Sequence, residues 1–274
     1  MRQINKLTLS GGILSAVLLS VLLTGQWIAP KDPLSIDLSH RLSRPDAVYL
    51  LGTDHLGRCV LSRIIHGTRT SLLSAFGAVA LALTAGLCTG FVSGLGSRKT
   101  DRLLMGICDI VLAFPFLILA LVLTGMMGPS LKSLILGAGM AGWAWWARFV
   151  RGMILHAREK DFVRQGKAMG LNRFRIMRHY LLPQILPPLL VAVSLSTGRM
   201  IVVISSLSYL GLGVQPPVPE WGTMLRESRI YLASAPWLVI APGLAVSLSV
   251  LAFTLLGEGF RDCFQVRPVY DESA

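Results

Sequence analysis

The sequence predicts an all-α, polytopic membrane protein with six transmembrane helices. Hydrophobic residues make up 53% of its 274 residues and charged residues only 15%, whereas a soluble domain averages about 25% charged. Apolar runs of about 18 residues or more recur, and each is long enough to cross a hydrocarbon core of about 30 Å. The net charge of +12 comes from lysines and arginines that flank these runs. It therefore indicates cytoplasmic loops and argues against nucleic-acid binding.

The predicted spans follow one another as apolar runs separated by polar or proline-rich segments. The first run is too long for the apolar part of a cleaved signal peptide, so we interpret it as a retained helix. The predicted spans are residues 7–29, 71–96, 103–126, 134–150, 185–212 and 237–257. This division gives a first helix with an external loop, residues 1–70, and a five-helix core, residues 71–274.

The distribution of basic residues predicts the orientation. If the N-terminus is cytoplasmic, the inner segments hold sixteen lysines and arginines and the outer segments hold nine. Because basic residues favour the cytoplasmic side, both termini are expected on that side of the membrane. The loops 30–70 and 213–236 are then external, and the basic segment 158–183 is cytoplasmic.

The segment 158–183 predicts two short helices with a sharp turn between them. Gly170 can adopt the left-handed backbone that ends a helix, and Asn172 is a suitable N-cap for the next helix. Pro183 and Pro187 then redirect the chain as it re-enters the membrane. From physical chemistry alone, this segment is either a docking element or an ordinary solvated basic loop.

Three stretches carry a family resemblance. FVRQGKAMGLNRFRIMRHYLLPQILPPLL, residues 162–190, resembles the cytoplasmic signature of ABC-importer permeases. Gly170 and Pro183 match that signature in type and spacing, whereas Arg164, Gln165 and Gly166 replace its EAA letters. LGTDHLGRCVLSRIIHGTRTSL, residues 51–72, and SSLSYLGLGVQPPVPEWGTML, residues 205–225, resemble the C-type permeases of dipeptide, oligopeptide and nickel importers. Cys59 stands where that family commonly has aspartate.

The resemblance implies a type I ABC importer permease fold and a mechanism. The segment at about 158–183 would be the coupling helix, which binds a separate ATPase subunit and transmits its closure to the membrane. The implied partners are a second permease subunit, cytoplasmic ATPase subunits, an extracytoplasmic substrate-binding protein and the lipid bilayer. The coupling residues expected from it are Phe162, Lys167, Ala168, Met169, Gly170 and Pro183. Phe162, Met169, Phe174 and Met177 offer apolar anchors for such a contact.

Other motifs are weak, and none predicts a cofactor or a metal site. GLGSRKT, residues 94–100, lacks the glycine before lysine that a phosphate loop needs. GAGMAG, residues 137–142, and the GxxxGxxxG face of Gly86, Gly90 and Gly94 are typical of helix packing, within the chain or against a partner. An autonomous secondary transporter and a membrane-bound enzyme remain competing classes. No inverted repeat supports the first, and no nucleophile–base pair supports the second.

Two charges lie inside predicted spans, where a charge is costly and usually faces a cavity or a partner. Asp109 is expected to cap or to pair with a basic group. Arg199, near the middle of the fifth span, either pairs with another helix, with Asp109 as a candidate, or lines the translocation path. In the second role its guanidinium would favour a substrate that carries carboxylates.

The sequence predicts structural roles, and no metal binding or catalysis, for the cysteines and histidines. Cys59 is expected to be a free thiol in a polar stretch, and Cys88 and Cys108 to be packing residues. The external histidines lack ligand spacing, so hydrogen-bonding roles are predicted for them. LGTDHLGR together with WAWWARFVR, residues 143–151, resembles the nickel-importer branch most. Nickel or another metal chelate is therefore predicted ahead of a di- or oligopeptide as the substrate.

Overall fold

The protein is built from helices. The computed structural model describes residues 6–160, 169 and 172–264, and in these it contains no β-strand. Single 3₁₀ turns lie at Leu38–His40 and Arg229–Tyr231, and a π-helical turn, Met177–Leu181, leads into α7. The helices are α1 (Lys6–Ile28), α2 (Val60–Leu95), α3 (Arg98–Leu112), α4 (Phe116–Met127), α5 (Leu131–Glu159), α6 (Arg173–Ile176), α7 (Leu182–Tyr209), α8 (Trp221–Ser228) and α9 (Trp237–Phe264).

Four helical segments in the described part of the chain are long and apolar enough to cross a membrane. They are Leu9–Ile28, Val60–Leu95, Met177–Tyr209 and Trp237–Phe264. The pair α3 and α4 adds a fifth if the two are counted as one span. The helix α5 has 29 residues but is not among them. The all-α prediction is therefore confirmed, whereas the number of six spans is not.

The third predicted span is broken, which is a correction to the continuous helix expected over residues 103–126. α3 ends at Leu112, α4 begins at Phe116, and the two axes differ by 87°. Pro115 explains the break, because proline has no N–H for the helix ladder and disfavours helical backbone in the residue before it. Its carbonyl instead accepts the first hydrogen bond of α4, from Leu119 N at 3.0 Å.

The second span also differs from its prediction, because α2 begins at Val60 and not at residue 71. The eleven additional residues look like loop in the sequence, since they include Arg63, His66 and Arg69. In the structure Ser62, Arg63 and Thr68 are buried, so this polar first part of α2 packs against other segments of the protein. The external loop therefore ends at Cys59.

The helices α2 and α5 pack closely through glycine. Gly86, Gly90 and Gly94 of α2 face Trp146, Val150 and Ile154 of α5, respectively. A Cβ at Gly90 would lie 2.8 Å from Val150 Cβ, and one at Gly94 would lie 2.9 Å from Ile154 Cγ2. The GxxxGxxxG face thus packs within this chain, as small residues do in membrane helices.

The first helix packs along the last one. Gly11 of α1 lies against the backbone of Leu255 and Leu256 in α9, and Ser15 Oγ donates to Ala252 O at 3.4 Å. Gly25 approaches Ile65 of α2 near the other end of α1. The N-terminal helix is therefore joined to the rest of the bundle along its length.

Candidate translocation wall, external charge cluster and coupling segment

Charged and aromatic side chains lie on α5 at about the middle of the membrane. Trp146 packs against Gly86, which precedes Leu95, the end of α2, by nine residues, or about 14 Å of helix. Arg98 and Lys99 follow this end directly, so the basic-residue pattern predicts that it is the cytoplasmic end. Since the hydrocarbon core is about 30 Å thick, the residues around Trp146 lie near its centre.

Asp109 forms an ion pair with Arg148 at this depth. The pair joins α3 to α5, and the side chains are 59% and 52% exposed in the single chain. The expectation that Asp109 pairs with a basic group is therefore confirmed. The candidate pairing of Asp109 with Arg199 is wrong, because Asp109 pairs with Arg148 of α5 and makes no ion pair with Arg199.

Arg199 projects from an exposed position of α7 towards α5. Its guanidinium carbon lies 5.6 Å from the centroid of the Trp145 ring, and its Nη2 donates to Ser196 Oγ at 3.4 Å. Trp145 in turn stacks on Phe149, with centroids 5.2 Å apart. No carboxylate of the described residues lies within ion-pair distance of Arg199.

We call Asp109, Trp145, Arg148, Ser196 and Arg199 the inner wall. Apart from the buried Ser196, these side chains are exposed in the single chain. Exposed charges at mid-membrane depth are costly against lipid, so they indicate a surface that faces a water-filled path or a partner. Asp109 and Arg148 compensate each other in charge, which leaves the wall with the positive charge of Arg199. The guanidinium group of an arginine can donate two parallel hydrogen bonds to one carboxylate. A cation above the face of a tryptophan ring is also attracted by the ring's electrons.

A second group of charges is buried near the opposite end of α2, which the basic-residue pattern predicts to be external. Arg58 Nε donates to Asp54 Oδ2 at 2.7 Å, and Arg63 Nε lies 3.6 Å from the same oxygen. Glu227 Oε2 accepts from Arg58 Nη2 at 3.5 Å and from Arg63 Nη2 at 3.2 Å. Nη1 of Arg63 has no partner among the described residues. This external charge cluster links the loop before α2 to α8.

Glu220 fixes α8 against α2. Its two carboxylate oxygens accept from the N–H groups of Gly222 and Thr223 at 3.0 and 2.8 Å, so it caps the helix. Ser71 Oγ donates to Glu220 at 3.1 Å, and Trp221 Nε1 donates to Ile64 O at 3.1 Å. The two stretches that carry the family resemblance, residues 51–72 and 205–225, thus meet in space.

Sequence reasoning missed the external charge cluster and the cap. The predicted external loops 30–70 and 213–236 contain Asp54, Arg63 and Glu227 but give them no partners. The signal that could have found the cluster is the excess of arginine over acidic residues in 51–72, since a buried arginine needs a carboxylate. The two stretches are separated by more than 130 residues, so the sequence alone does not show that they meet.

The cysteines and histidines lie where structural roles are expected, with two exceptions. Cys59 is 3% exposed and stands at the N-cap position of α2 without a capping side-chain hydrogen bond, so it is a free thiol but a buried one. Cys108 is buried, whereas Cys88 is exposed in the single chain. His66 Nδ1 lies 3.0 Å from Ser62 O, and the His55 ring stacks on Tyr231. The described residues contain no group of three metal-binding side chains.

One carboxyl of the external loop has a shifted pKa. Ser39 and then His40 donate hydrogen bonds to the Asp37 carboxylate and hold its pKa below its ordinary value. Because Asp37 is exposed and lies in the turn Leu38–His40, the interaction stabilises this turn locally.

The coupling segment is described at residues 158–160, 169 and 172–183. The predicted coupling residues Phe162, Lys167, Ala168 and Gly170 lie outside the described residues. Met169 is 78% exposed, and Pro183 is an exposed residue of the first turn of α7. The helix α6 begins at Arg173, directly after the predicted cap Asn172.

The two ends of the coupling segment are joined to each other. Lys160 Nζ, after the end of α5, donates to Gln184 Oε1 in α7 at 2.6 Å. Beneath this contact lies a shared apolar core, to which α5 contributes Ile154 and Ala157 and the start of α7 contributes Ile185. The end of α5 and the start of α7 are therefore tied to each other at the base of this segment.

A helical bundle with a charged inner wall at mid-membrane depth defines the class: this is a multi-pass membrane transport protein. Residues 86–267 match the family described as binding-protein-dependent transport system inner membrane component. The nickel transport system permease protein NikC of Escherichia coli (strain K12) is 39% identical over 91% of this chain and 90% of its own length. The dipeptide transport system permease protein DppC of Alkalihalophilus pseudofirmus is 39% identical over 94% and 85%.

A solved structure agrees in fold. A chain of the MetNI methionine ABC transporter in an inward-facing conformation superposes with a TM-score of 0.60 and 19% identity, over 75% of this chain and 96% of that one. The chain described here belongs to the C-type permease family of nickel and dipeptide ABC importers. It is an integral inner-membrane permease of a family that is not itself catalytic and that works with ATPase and substrate-binding partners.

Proposed function

We propose that this permease forms half of the translocation path for nickel bound in a chelate, or for another metal chelate. A second permease subunit completes the path, and separate cytoplasmic subunits hydrolyse ATP. The observation that carries the substrate proposal is Arg199, a cation at mid-membrane depth with no carboxylate partner among the described residues. The identity of 39% with a nickel permease supports the same reading.

The positive charge of the inner wall favours a metal chelate over a bare metal ion as the transported substrate. A guanidinium repels Ni²⁺, whereas it attracts the surplus carboxylates of an organic ligand that holds the metal. A di- or oligopeptide is the second candidate, because its terminal carboxylate suits the same arginine and because DppC is also 39% identical. Uptake of radioactive nickel with excess citrate, in competition with an unlabelled dipeptide, separates the two candidates.

The coupling role belongs to the segment 158–183. Its exposed residues Met169 and Pro183 suit a contact with a cytoplasmic ATPase. The contact between Lys160 and Gln184 and the apolar core beneath it give the segment a firm base, as a docking element needs. Uptake that continues without ATP would contradict this role and would favour an autonomous transporter.

A thiol at position 48 tests the proposed orientation, with both termini in the cytoplasm. Cys59 cannot serve as the probe because it is buried, whereas Val48 in the same loop is 62% exposed. In a variant without the four native cysteines, we expect a membrane-impermeant maleimide to label Val48→Cys from outside intact cells. Arg102→Cys, at an exposed position of α3, is the matched cytoplasmic site and should be labelled only after the cells are opened. The reverse pattern would contradict the orientation.

Arg199→Gln tests the proposed path. We expect the KM for nickel–citrate uptake in proteoliposomes to rise about 10-fold, because a charge-assisted hydrogen bond is lost. In Arg199→Lys the KM should rise less than in Arg199→Gln, because the positive charge is kept, but it should stay above that of the unchanged protein, because lysine lacks the planar guanidinium group. Arg261→Gln is the control, because Arg261 pairs with Glu258 near the C-terminal end of α9. An unchanged KM in Arg199→Gln, at normal amounts of assembled complex, would reject the role.

A further inference from the structure

Three helices meet at one carboxylate near the cytoplasmic end of the bundle. Arg151 of α5 donates to Asp101 of α3 twice, from Nε at 2.5 Å and from Nη2 at 2.7 Å. The hydroxyl of Ser93, in the last turn of α2, donates to the same carboxylate. We call Asp101 and Arg151 the cytoplasmic clamp. A bidentate arginine–carboxylate pair fixes orientation as well as distance.

The clamp lies beside the base of the coupling segment. Arg158, one residue before the end of α5, donates from Nη1 to Gly94 O of α2 at 2.5 Å. Lys160, directly after α5, donates to Gln184 of α7. The cytoplasmic half of α5 is therefore tied to α2 and α3 on one side and to α7 on the other.

The described polar contacts of α3 to other long helices go to α5 and α2. They are the clamp, with Ser93, and the pair of Asp109 with Arg148. Cys108 adds apolar contact with Ala144 and Ala147, which also belong to α5. At its other end α3 is separated from α4 by the 87° bend. A displacement of α5 is therefore expected to carry α3 with it.

We propose that the cytoplasmic clamp is a positioning pair that makes α3 follow α5 when the coupling segment moves. Asp109, at the far end of α3, then changes its place in the inner wall as the ATPase closes. The clamp touches neither nucleotide nor substrate and acts through α3. This inference rests on the coupling role proposed for residues 158–183 and is independent of the substrate.

The test uses the assembled importer in nanodiscs, with its partner permease and ATPase subunits. ATP hydrolysis is measured without and with the cognate binding protein, carrying the ligand with which it is isolated. Asp101→Asn and Arg151→Gln are expected to keep the basal rate and to lose the stimulation by about 10-fold, which is typical of a lost coupling between sites. A merely structural pair would lower the basal rate and the amount of complex together.

Restoring the tie should restore the stimulation. Asp101→Cys and Arg151→Cys are combined in a chain without native cysteines and joined by a short bifunctional methanethiosulfonate. Stimulation is expected to return on cross-linking and to disappear again with dithiothreitol. The control pair is Glu258→Cys with Arg261→Cys, which replaces an ion pair within α9 and should respond to neither treatment.

Gly170→Pro separates the two proposals, because it alters the coupling segment and not the clamp. If it abolishes stimulation while both clamp variants retain it, the clamp proposal is overturned and the coupling role stands. Normal stimulation in Gly170→Pro would overturn the coupling role, and the clamp proposal with it. Failure of the cross-link to restore stimulation, or a parallel loss of basal hydrolysis, would also overturn the clamp proposal.

Discussion

Glu227→Ala is expected to destabilise the permease by about 3–5 kcal/mol, because removing one partner of a buried ion-pair network leaves the other charges uncompensated. The carboxylate of Glu227 is 18% exposed and lies 3.5 Å from Arg58 and 3.2 Å from Arg63. Asp54 would then face two guanidinium groups alone. Since Nη1 of Arg63 already lacks a partner among the described residues, the external charge cluster has no spare acceptor.

The measurement is the apparent melting temperature of the purified complex in one detergent, with the amount of complex recovered. Glu258→Ala is the matched control, since its pair with Arg261 is partly exposed and joins residues three apart on α9. Such a pair contributes about 0.2–1 kcal/mol. Equal shifts in the two variants would show that Glu227 is not part of a network that stabilises the fold.

Gly86→Ala is expected to destabilise the contact between α2 and α5 by about 1–3 kcal/mol, through overpacking. The added methyl group would overlap Trp146 Cβ and lie 2.9 Å from the backbone nitrogen of Ala147. Because backbone cannot rotate out of the way, the two helices must separate. Less complex and a lower melting temperature are expected.

The control for this variant is Gly243→Ala in α9, where an added Cβ meets no atom within 4 Å. Alanine is favoured over glycine in a helix by about 1 kcal/mol, so Gly243→Ala should be neutral or stabilising. If Gly86→Ala were as stable as Gly243→Ala, the close approach of α2 and α5 would be wrong.

The sequence predicts those parts of the fold that depend on local pattern. Long apolar runs correctly indicated the four spanning segments, since length and apolarity alone decide whether a helix can cross the membrane. The spacing of Gly86, Gly90 and Gly94 correctly indicated a helix-packing face. Asn172 stands directly before a helix, as a capping residue should.

Features that depend on tertiary contacts were not predictable. The hydropathy of a long window hardly changes when one residue is proline. The apolar run that contains Pro115 therefore predicts one continuous helix where the structure has α3 and α4. The start of α2 was missed because Arg63 and Thr68 look solvent-exposed until Glu227 and its neighbours are folded around them. Asp109 pairs with Arg148 of α5 and not with Arg199 of α7, and no pattern along the chain shows which of these helices lies beside α3.

The length of α2 has a mechanical consequence. Its 36 residues form a rod of about 54 Å, which exceeds the hydrocarbon core by about 24 Å. One end carries Arg63 in the external charge cluster, and the other carries Ser93 beside the cytoplasmic clamp. If this rod tilts by about 5°, one end shifts by about 5 Å relative to the other. That sideways shift is larger than a hydrogen-bond distance of about 3 Å, so a small tilt that begins beside the clamp is enough to break or remake contacts in the charge cluster at the other end.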